Sequence, residues 1–149
     1  FRRAIMIDQL ITSFFASAGF AILFNAPKRT LAQCGLVGMA GWAAYVMAVD
    51  YGIDIVPATA LSAGIVAILS HISAKLYKTP IIIFNVAGII PLVPGGVAYN
   101  AMRNFVENNY DVGVQLSAQV LLLAGSIAIG LMFSEVINQI VNKVILRKS

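Results

Sequence analysis

The residues whose types and spacing most clearly predict a binding site form a short run at the centre of the chain, where two prolines precede two glycines. This run is Ile90-Pro91-Leu92-Val93-Pro94-Gly95-Gly96-Val97. Each proline removes a backbone donor and clashes with the carbonyl group one turn earlier, while the glycines allow conformations closed to other residues. The sequence therefore predicts that a helix over residues 81–105 is broken near 91–96, with its second half starting near Pro94.

A half-helix that begins inside a bilayer presents its first amides to whatever lies there. In this chain they are the amides of Gly95, Gly96 and Val97, which lack intrahelical acceptors and carry the positive end of the helix dipole. Broken helices of this kind form the substrate sites of secondary transporters. The run thus predicts a site for a small carboxylate, and the alternative is a proline kink that only shapes helix packing. The predicted substrate-binding residues are Asn85, Pro91, Pro94, Gly95, Gly96, Val97, Tyr99 and Asn100.

Three titratable side chains near the predicted spans are candidates for proton coupling, namely Asp8, His71 and Glu135. Two of them also have a simpler interpretation, Asp8 as a solvated carboxylate at a helix end and His71 as a hydrogen-bonded histidine at the interface. No pairing of histidine with a carboxylate, metal-ligand cluster or activated Ser or Cys appears at a useful spacing. The sequence therefore predicts no enzyme, no metal site and no cofactor.

The composition identifies the setting in which these residues act. Of the 149 residues, 60% are hydrophobic and 11% are charged, whereas about a quarter of the residues of a soluble domain are charged. Because a span needs about 20 mostly apolar residues, the sequence predicts one all-α transmembrane domain over residues 1–149. Its five predicted spans cover residues 5–24, 31–49, 55–76, 81–105 and 112–133, and an amphipathic tail follows at 134–146.

Small residues recur at helical spacing on several of these spans. The first span carries Ser13, Ser17 and Ala21, and the second carries a glycine on each of three successive turns, at positions 35, 38 and 41. Such faces allow helix backbones to approach closely. Trp42 lies in the middle of the second span rather than at an interface, and we interpret it as a packing residue that could line a cavity.

The positive charges indicate how the chain is oriented. The ten Lys and Arg residues lie at span ends rather than in one patch, which disfavours a nucleic-acid partner and reports topology. With the N-terminus outside, seven of the ten fall on the cytoplasmic side: Lys28, Arg29, Lys75, Lys78, Lys143, Arg147 and Lys148. If the fourth span were a re-entrant hairpin, the count would be five against five. The sequence therefore predicts five crossings, an outside N-terminus and a cytoplasmic C-terminus.

Two motifs resemble those of a known family. The first is Gly19-Phe20-Ala21-Ile22-Leu23-Phe24-Asn25-Ala26-Pro27-Lys28-Arg29, and the second is Ile90-Pro91-Leu92-Val93-Pro94-Gly95 with Tyr99. With the length and the order of spans, they resemble the C-terminal, small-subunit half of the threonine/serine exporter (ThrE) family, the YjjB-like proteins. The resemblance covers essentially the whole chain and adds Asn25, Pro27 and Arg29 as family-motif residues.

The resemblance implies a half or subunit of a secondary transporter in the bacterial inner membrane, exporting threonine and serine or a dicarboxylate such as succinate. It implies a larger YjjP-like membrane subunit, a homo-oligomer, or both as partners, in addition to the surrounding membrane lipids. An odd span count fits, since related halves of odd count take opposite orientations in inverted-repeat transporters. Two alternatives stay open: a homo-oligomeric channel with the break as its constriction, and an assembly subunit without a substrate site of its own.

Overall fold

The computed structural model describes residues 2–149, and it is helical from end to end without a strand in that range. The prediction of an all-α membrane protein is confirmed, because four helices are long and apolar enough to cross a bilayer and a fifth crossing results if one bent pair forms a single span. The helices are α1 (Arg2–Leu23), α2 (Leu31–Asp50), α3 (Ile55–Tyr77), α4 (Ile81–Ile89), α5 (Gly95–Val106) and α6 (Tyr110–Lys148), with 3-10 turns at Lys28–Thr30 and Ile90–Leu92.

The four turns between the long helices are built alike. In each, one residue takes the left-handed backbone conformation, and the amide of the next residue donates to the carbonyl oxygen five positions earlier. This bond satisfies a carbonyl at the end of the preceding helix, as in a Schellman motif. The left-handed residues are Asn25, Gly52, Lys78 and Asn108. Short polar or glycine residues at three of these positions tolerate that conformation, which explains why the chain reverses there.

Helices α1, α2 and α4 meet where the sequence placed small residues. A Cβ atom at Gly38 would overlap with the side chain of Ser17 on α1 and would lie 3.6 Å from Cγ of Pro91. A Cβ atom at Gly88 on α4 would lie 2.7 Å from methyl groups of both Val37 and Val66. The predicted close contacts are thus confirmed. Glycine is needed at these positions because a neighbouring side chain occupies the space that a Cβ atom would fill.

Helices α3 and α6 form the other close pair. A Cβ atom at Gly130 would overlap with the carbonyl oxygen of Ala60, and the Ser134 hydroxyl donates to the carbonyl oxygen of Gly64 at 2.7 Å. Farther along both helices, His71 lies beside Glu135. Residues later in α3 contact residues later in α6, and the two helices therefore run parallel.

Helix α6 continues without interruption through the position where the sequence analysis ended the fifth span. It contains 39 residues, which corresponds to about 58 Å, nearly twice the hydrocarbon thickness of about 30 Å. The predicted tail at 134–146 is therefore the second part of one helix. Its first turn packs on α3 through Ser134 and Glu135, and its later apolar residues, such as Ile140 and Ile145, are exposed.

Candidate functional site

The break predicted at residues 91–96 is present. Helix α4 ends at Ile89, a 3-10 turn covers Ile90–Leu92, and α5 starts at Gly95, with a bend of 52° between the two parts. Val93 has extended backbone, and its amide donates to the carbonyl oxygens of Ile89 and Ile90. The missing amide hydrogens of the two prolines explain why the helix cannot run through, and the break is therefore a property of the local sequence.

The start of α5 leaves fewer free amides than predicted. The amide of Gly95 donates to the carbonyl oxygen of Val93 at 2.8 Å, and the first bond of the new helix runs from the amide of Ala98 to Pro94. Of the three predicted amides, only those of Gly96 and Val97 have no backbone acceptor among residues 2–149. All three amides lack intrahelical acceptors, as predicted, but the amide of Gly95 is not free, because the tight turn at Pro94 lets it bond to the carbonyl oxygen two residues earlier.

A groove of about 390 Å³ runs along the first half of α1 and is bounded at one end by the break; we call it the break groove. Its lining residues come from α1, from α2 and from the 3-10 turn: Ile5, Asp8, Gln9, Thr12, Ser13, Ala16, Trp42 and Pro91. Asp8 is in the second turn of α1 and Ser13 in the fourth, so the groove extends from near the start of the helix to about its middle. It therefore connects the end of the molecule with the interrupted backbone.

The polar side chains of the break groove are held by short hydrogen bonds. The hydroxyl of Thr12 donates to the carbonyl oxygen of Asp8 at 2.7 Å, and that of Ser13 donates to Gln9 at 2.8 Å. Because each hydroxyl hydrogen is used within α1, each oxygen remains available as an acceptor. Nε1 of Trp42 donates to Oε1 of Gln9 at 3.3 Å and joins α2 to this polar face. The Asp8 carboxylate is exposed and is the one charged group lining the groove.

The predicted substrate-binding residues are only partly brought together. Pro91 lines the break groove, but Gly95, Gly96, Tyr99 and Asn100 are exposed beyond the break and do not line it. Tyr99 is 67% exposed, so in this chain it has little protein around it. In the isolated chain, the predicted substrate-binding residues therefore do not form a single cluster around the break. Pro94 and Val97 are partly buried at the break itself.

Asn85 is a separate case. It lies on α4, more than one turn before the break, and is partly buried, and its Oδ1 atom is buried without a hydrogen-bond partner among the described residues. An unpaired buried oxygen costs about 1–3 kcal/mol. Asn85 does not line the break groove, so its acceptor faces a different part of the interior.

The predicted coupling residues fall in two places. Asp8 is in the break groove, whereas Nε2 of His71 lies 3.2 Å from Oε2 of Glu135 across the contact between α3 and α6. The sequence analysis found no histidine and carboxylate at a useful spacing, and the structure corrects this, because 64 positions along the chain are bridged by helix packing. Glu135 is 53% exposed at its side chain, and Gln139 donates to its other oxygen at 3.4 Å.

The family-motif residues lie at the opposite end of α1 from the groove's mouth. Asn25 takes the left-handed conformation that ends α1, with φ of 56°, and Pro27 precedes the 3-10 turn. Thr30 is buried, and its hydroxyl donates to the carbonyl oxygen of Pro27 at 2.7 Å. Arg29 is exposed. The geometry of Asn25 and Pro27 accounts for a tight helix connection.

Sequence reasoning missed Gln9 and Thr12 as groove residues. A signal was present, since polar residues at 8, 9, 12 and 13 share one face of an otherwise apolar helix. It also missed the bond from Nε2 of Gln33 to the hydroxyl of Ser73 at 2.7 Å, which ties the start of α2 to the end of α3. The interpretation of Trp42 as a cavity-lining residue is confirmed.

Comparison with known proteins supports the family resemblance seen in the sequence. A family model described as Threonine/Serine exporter, ThrE matches residues 9–137, most of the chain, and this range contains the break and most of the groove. No solved structure matches the chain.

Proposed function

Because the chain belongs to the threonine/serine exporter family, we propose that it is one half of a secondary exporter for small carboxylates and that solute meets the helix break by way of the break groove. The observation that carries this proposal is the meeting of a polar face of α1 with Pro91 in a groove of about 390 Å³. The groove offers one carboxylate, one amide side chain and two hydroxyl oxygens, and the break offers two free amides beyond it.

These groups complement the two charged groups of an amino acid, its carboxylate and its ammonium group. The amides of Gly96 and Val97 at the start of α5 attract the substrate carboxylate, because the helix dipole favours an anion there. The carboxylate of Asp8 attracts the substrate ammonium group. A dianion such as succinate has no cation for Asp8 and would be repelled by it at close range. The charge in the groove therefore favours threonine and serine over a dicarboxylate.

The direction of α6 supports five crossings rather than a re-entrant hairpin. Helices α3 and α6 run parallel, which requires one crossing between them, because a bent pair that turned back to its own side would make α6 antiparallel to α3. A pair that crosses once, bent by 52°, returns the chain to the side on which α3 began. The proposed topology thus retains an outside N-terminus and a cytoplasmic C-terminus in a bacterial inner membrane.

The exposure of the groove supports the need for a partner. Asp8, Gln9 and Thr12 are exposed in the isolated chain, and ionisable or polar residues within a membrane span almost always face protein or a wet cavity. A second half, either a larger membrane subunit or another copy of this chain, would cover them and complete the pathway. Asp8 is then the coupling candidate that contacts solute, whereas His71 and Glu135 lie elsewhere.

The proposal is tested by threonine efflux from proteoliposomes that contain this chain with its partner. We expect Asp8→Asn to lower efflux about tenfold or more, because a hydrogen bond to a charged group contributes about 1.5–3 kcal/mol. Asp50→Asn is the matched control, since Asp50 is an exposed carboxylate at the end of α2 outside the groove. Equal threonine efflux in the two variants would exclude the break groove as the pathway, and ohmic currents without saturation would identify a channel instead.

A further inference from the structure

A second groove lies between α3 and α6, on the outside of the molecule; we call it the α3–α6 groove. It consists of two cavities, of about 370 Å³ and about 220 Å³, which share Ile68 and Ile137 and are therefore continuous. The larger cavity has Gly64 and Gly130 at its base, where missing side chains make room. The smaller one ends at Lys75. This groove has no part in the function proposed above.

The α3–α6 groove is long enough to hold an acyl chain across one leaflet of a bilayer. Leu61 and Lys75, near its two ends, are about 21 Å apart along α3, and one leaflet contributes about 15 Å of hydrocarbon. The walls are apolar and exposed, with Leu61 at 55%, Ile72 at 50% and Phe133 at 66%. An acyl chain lying in this groove would thus have its polar end at the level of Lys75, close to the end of α3.

The polar end of the α3–α6 groove carries a lysine side chain. Lys75 is exposed and makes no ion pair with any residue between 2 and 149. The carboxylate of Glu135 nearby is already engaged, since it lies 3.2 Å from His71 and accepts a bond from Gln139. The amide of Asn138 lines the same cavity and adds a donor.

Other cations lie at this end of the molecule. The hydrogen bond between Gln33 and Ser73 brings the start of α2 beside the end of α3, and Lys28, Arg29 and Lys78 follow or precede these helix ends by a few residues. A concentration of Lys and Arg on one side attracts anionic lipid. The local groove and the general charge of this face therefore favour the same kind of ligand.

We propose that the α3–α6 groove binds an anionic glycerophospholipid, with one acyl chain along Ile68 and Ile137 and its phosphate at Lys75 and Asn138. Annular lipid covers any apolar surface, but this groove adds a cation at the depth of the phosphate. A zwitterionic phospholipid is expected to bind more weakly, because its own cation offsets the attraction of Lys75. The site is separate from the solute pathway, so the two proposals fail independently.

Native mass spectrometry of the detergent-solubilised full chain tests this proposal with added phosphatidylglycerol and phosphatidylcholine. We expect one retained phosphatidylglycerol, and we expect Lys75→Gln to weaken its binding about fivefold, the factor for one Lys near an anionic surface. Lys143→Gln is the matched control, because Lys143 is also exposed, on α6, but lies outside the groove. Equal retention of both lipids, or equal weakening by both substitutions, would overturn the proposal.

A second pair of variants tests the apolar part. Ile68→Trp fills the junction of the two cavities and is expected to lower retention of the lipid, whereas Leu121→Trp, at a 73% exposed position on the same kind of surface, is expected to leave it unchanged. Glycerol phosphate and inorganic phosphate serve as soluble competitors. Displacement of the lipid by either at low millimolar concentration would show a soluble anion site, and a dimer that excludes lipid would show a second copy in the groove; both results contradict the proposal.

Discussion

The break groove, of about 390 Å³, is smaller than the α3–α6 groove with its two cavities of about 370 Å³ and 220 Å³, and it carries more polar side chains. The lining of the break groove combines apolar side chains with two hydroxyls, an amide and the carboxylate of Asp8, and the groove meets interrupted backbone at Pro91. The α3–α6 groove is lined by aliphatic and aromatic side chains on two unbroken helices, and its one polar end carries Lys75. This difference is the basis for proposing a solute pathway at the break groove and a lipid site at the α3–α6 groove.

Their packing differs in the same sense. At the α3–α6 groove, Gly130 presses against the backbone carbonyl of Ala60, which has no freedom to move aside. At the break groove, Gly38 presses against the side chain of Ser17 and lies near Pro91. The first contact holds two helices together, and the second positions the broken segment. Substitutions at the two glycines should therefore affect different properties.

The largest effect is expected from Gly130→Ala, which would remove the close contact under the α3–α6 groove. The added Cβ atom overlaps with the Ala60 carbonyl oxygen and lies 2.9 Å from Cβ of Ala63, and overpacking of this kind costs about 1–3 kcal/mol. We expect a clearly lower unfolding midpoint in detergent, measured by thermal denaturation. Gly125→Ala is the control on the same helix, since its Cβ atom meets nothing within 4 Å. A midpoint equal to that of the control would mean that α3 and α6 are not packed this closely.

The next effect is expected from Gly38→Ala, which should disturb the break groove. Its Cβ atom overlaps with Ser17 and would displace α1 relative to Pro91, so we expect threonine efflux to fall several-fold with little change in lipid retention. Gly19→Ala is the control, because the space beside Gly19 is open. Adding Ser17→Gly to Gly38→Ala should restore efflux by moving the missing side chain to the other helix. Failure of this rescue would separate the Gly38 contact from transport.

The smallest effect is expected from Glu135→Gln, at the polar end of the α3–α6 groove. The contact with His71 is partly exposed, and even a fully charged pair in such a place contributes only about 0–1 kcal/mol. We therefore expect a small change in the unfolding midpoint, comparable with that of Glu107→Gln, which removes the exposed pair with Arg103. We also expect the pH profile of efflux to keep its shape. Loss of the pH dependence in Glu135→Gln alone would assign proton coupling to this pair rather than to Asp8.

The sequence was sufficient to predict those structural features that depend only on residues close together in the chain. The break near Pro91 and Pro94 follows from missing donors, and the close helix contacts at Gly38 and Gly41 follow from missing side chains, so both could be predicted. Hydropathy located the helices, although it ended the fifth span at 133, where α6 continues. An amphipathic pattern after an apolar one marks a change of surroundings, and it carries no stop signal for the helix itself.

The sequence by itself determined that this is an all-α membrane chain with a helix broken by two prolines, because composition and backbone chemistry need no distant contacts. Only the tertiary structure decided which polar residues meet. It joined Asp8 and Trp42 to Pro91 in one groove, paired His71 with Glu135 across α3 and α6, and left Tyr99 outside. The physical reason is that the register and rotation of packed helices depend on side-chain contacts between segments far apart in the chain, which no local pattern specifies.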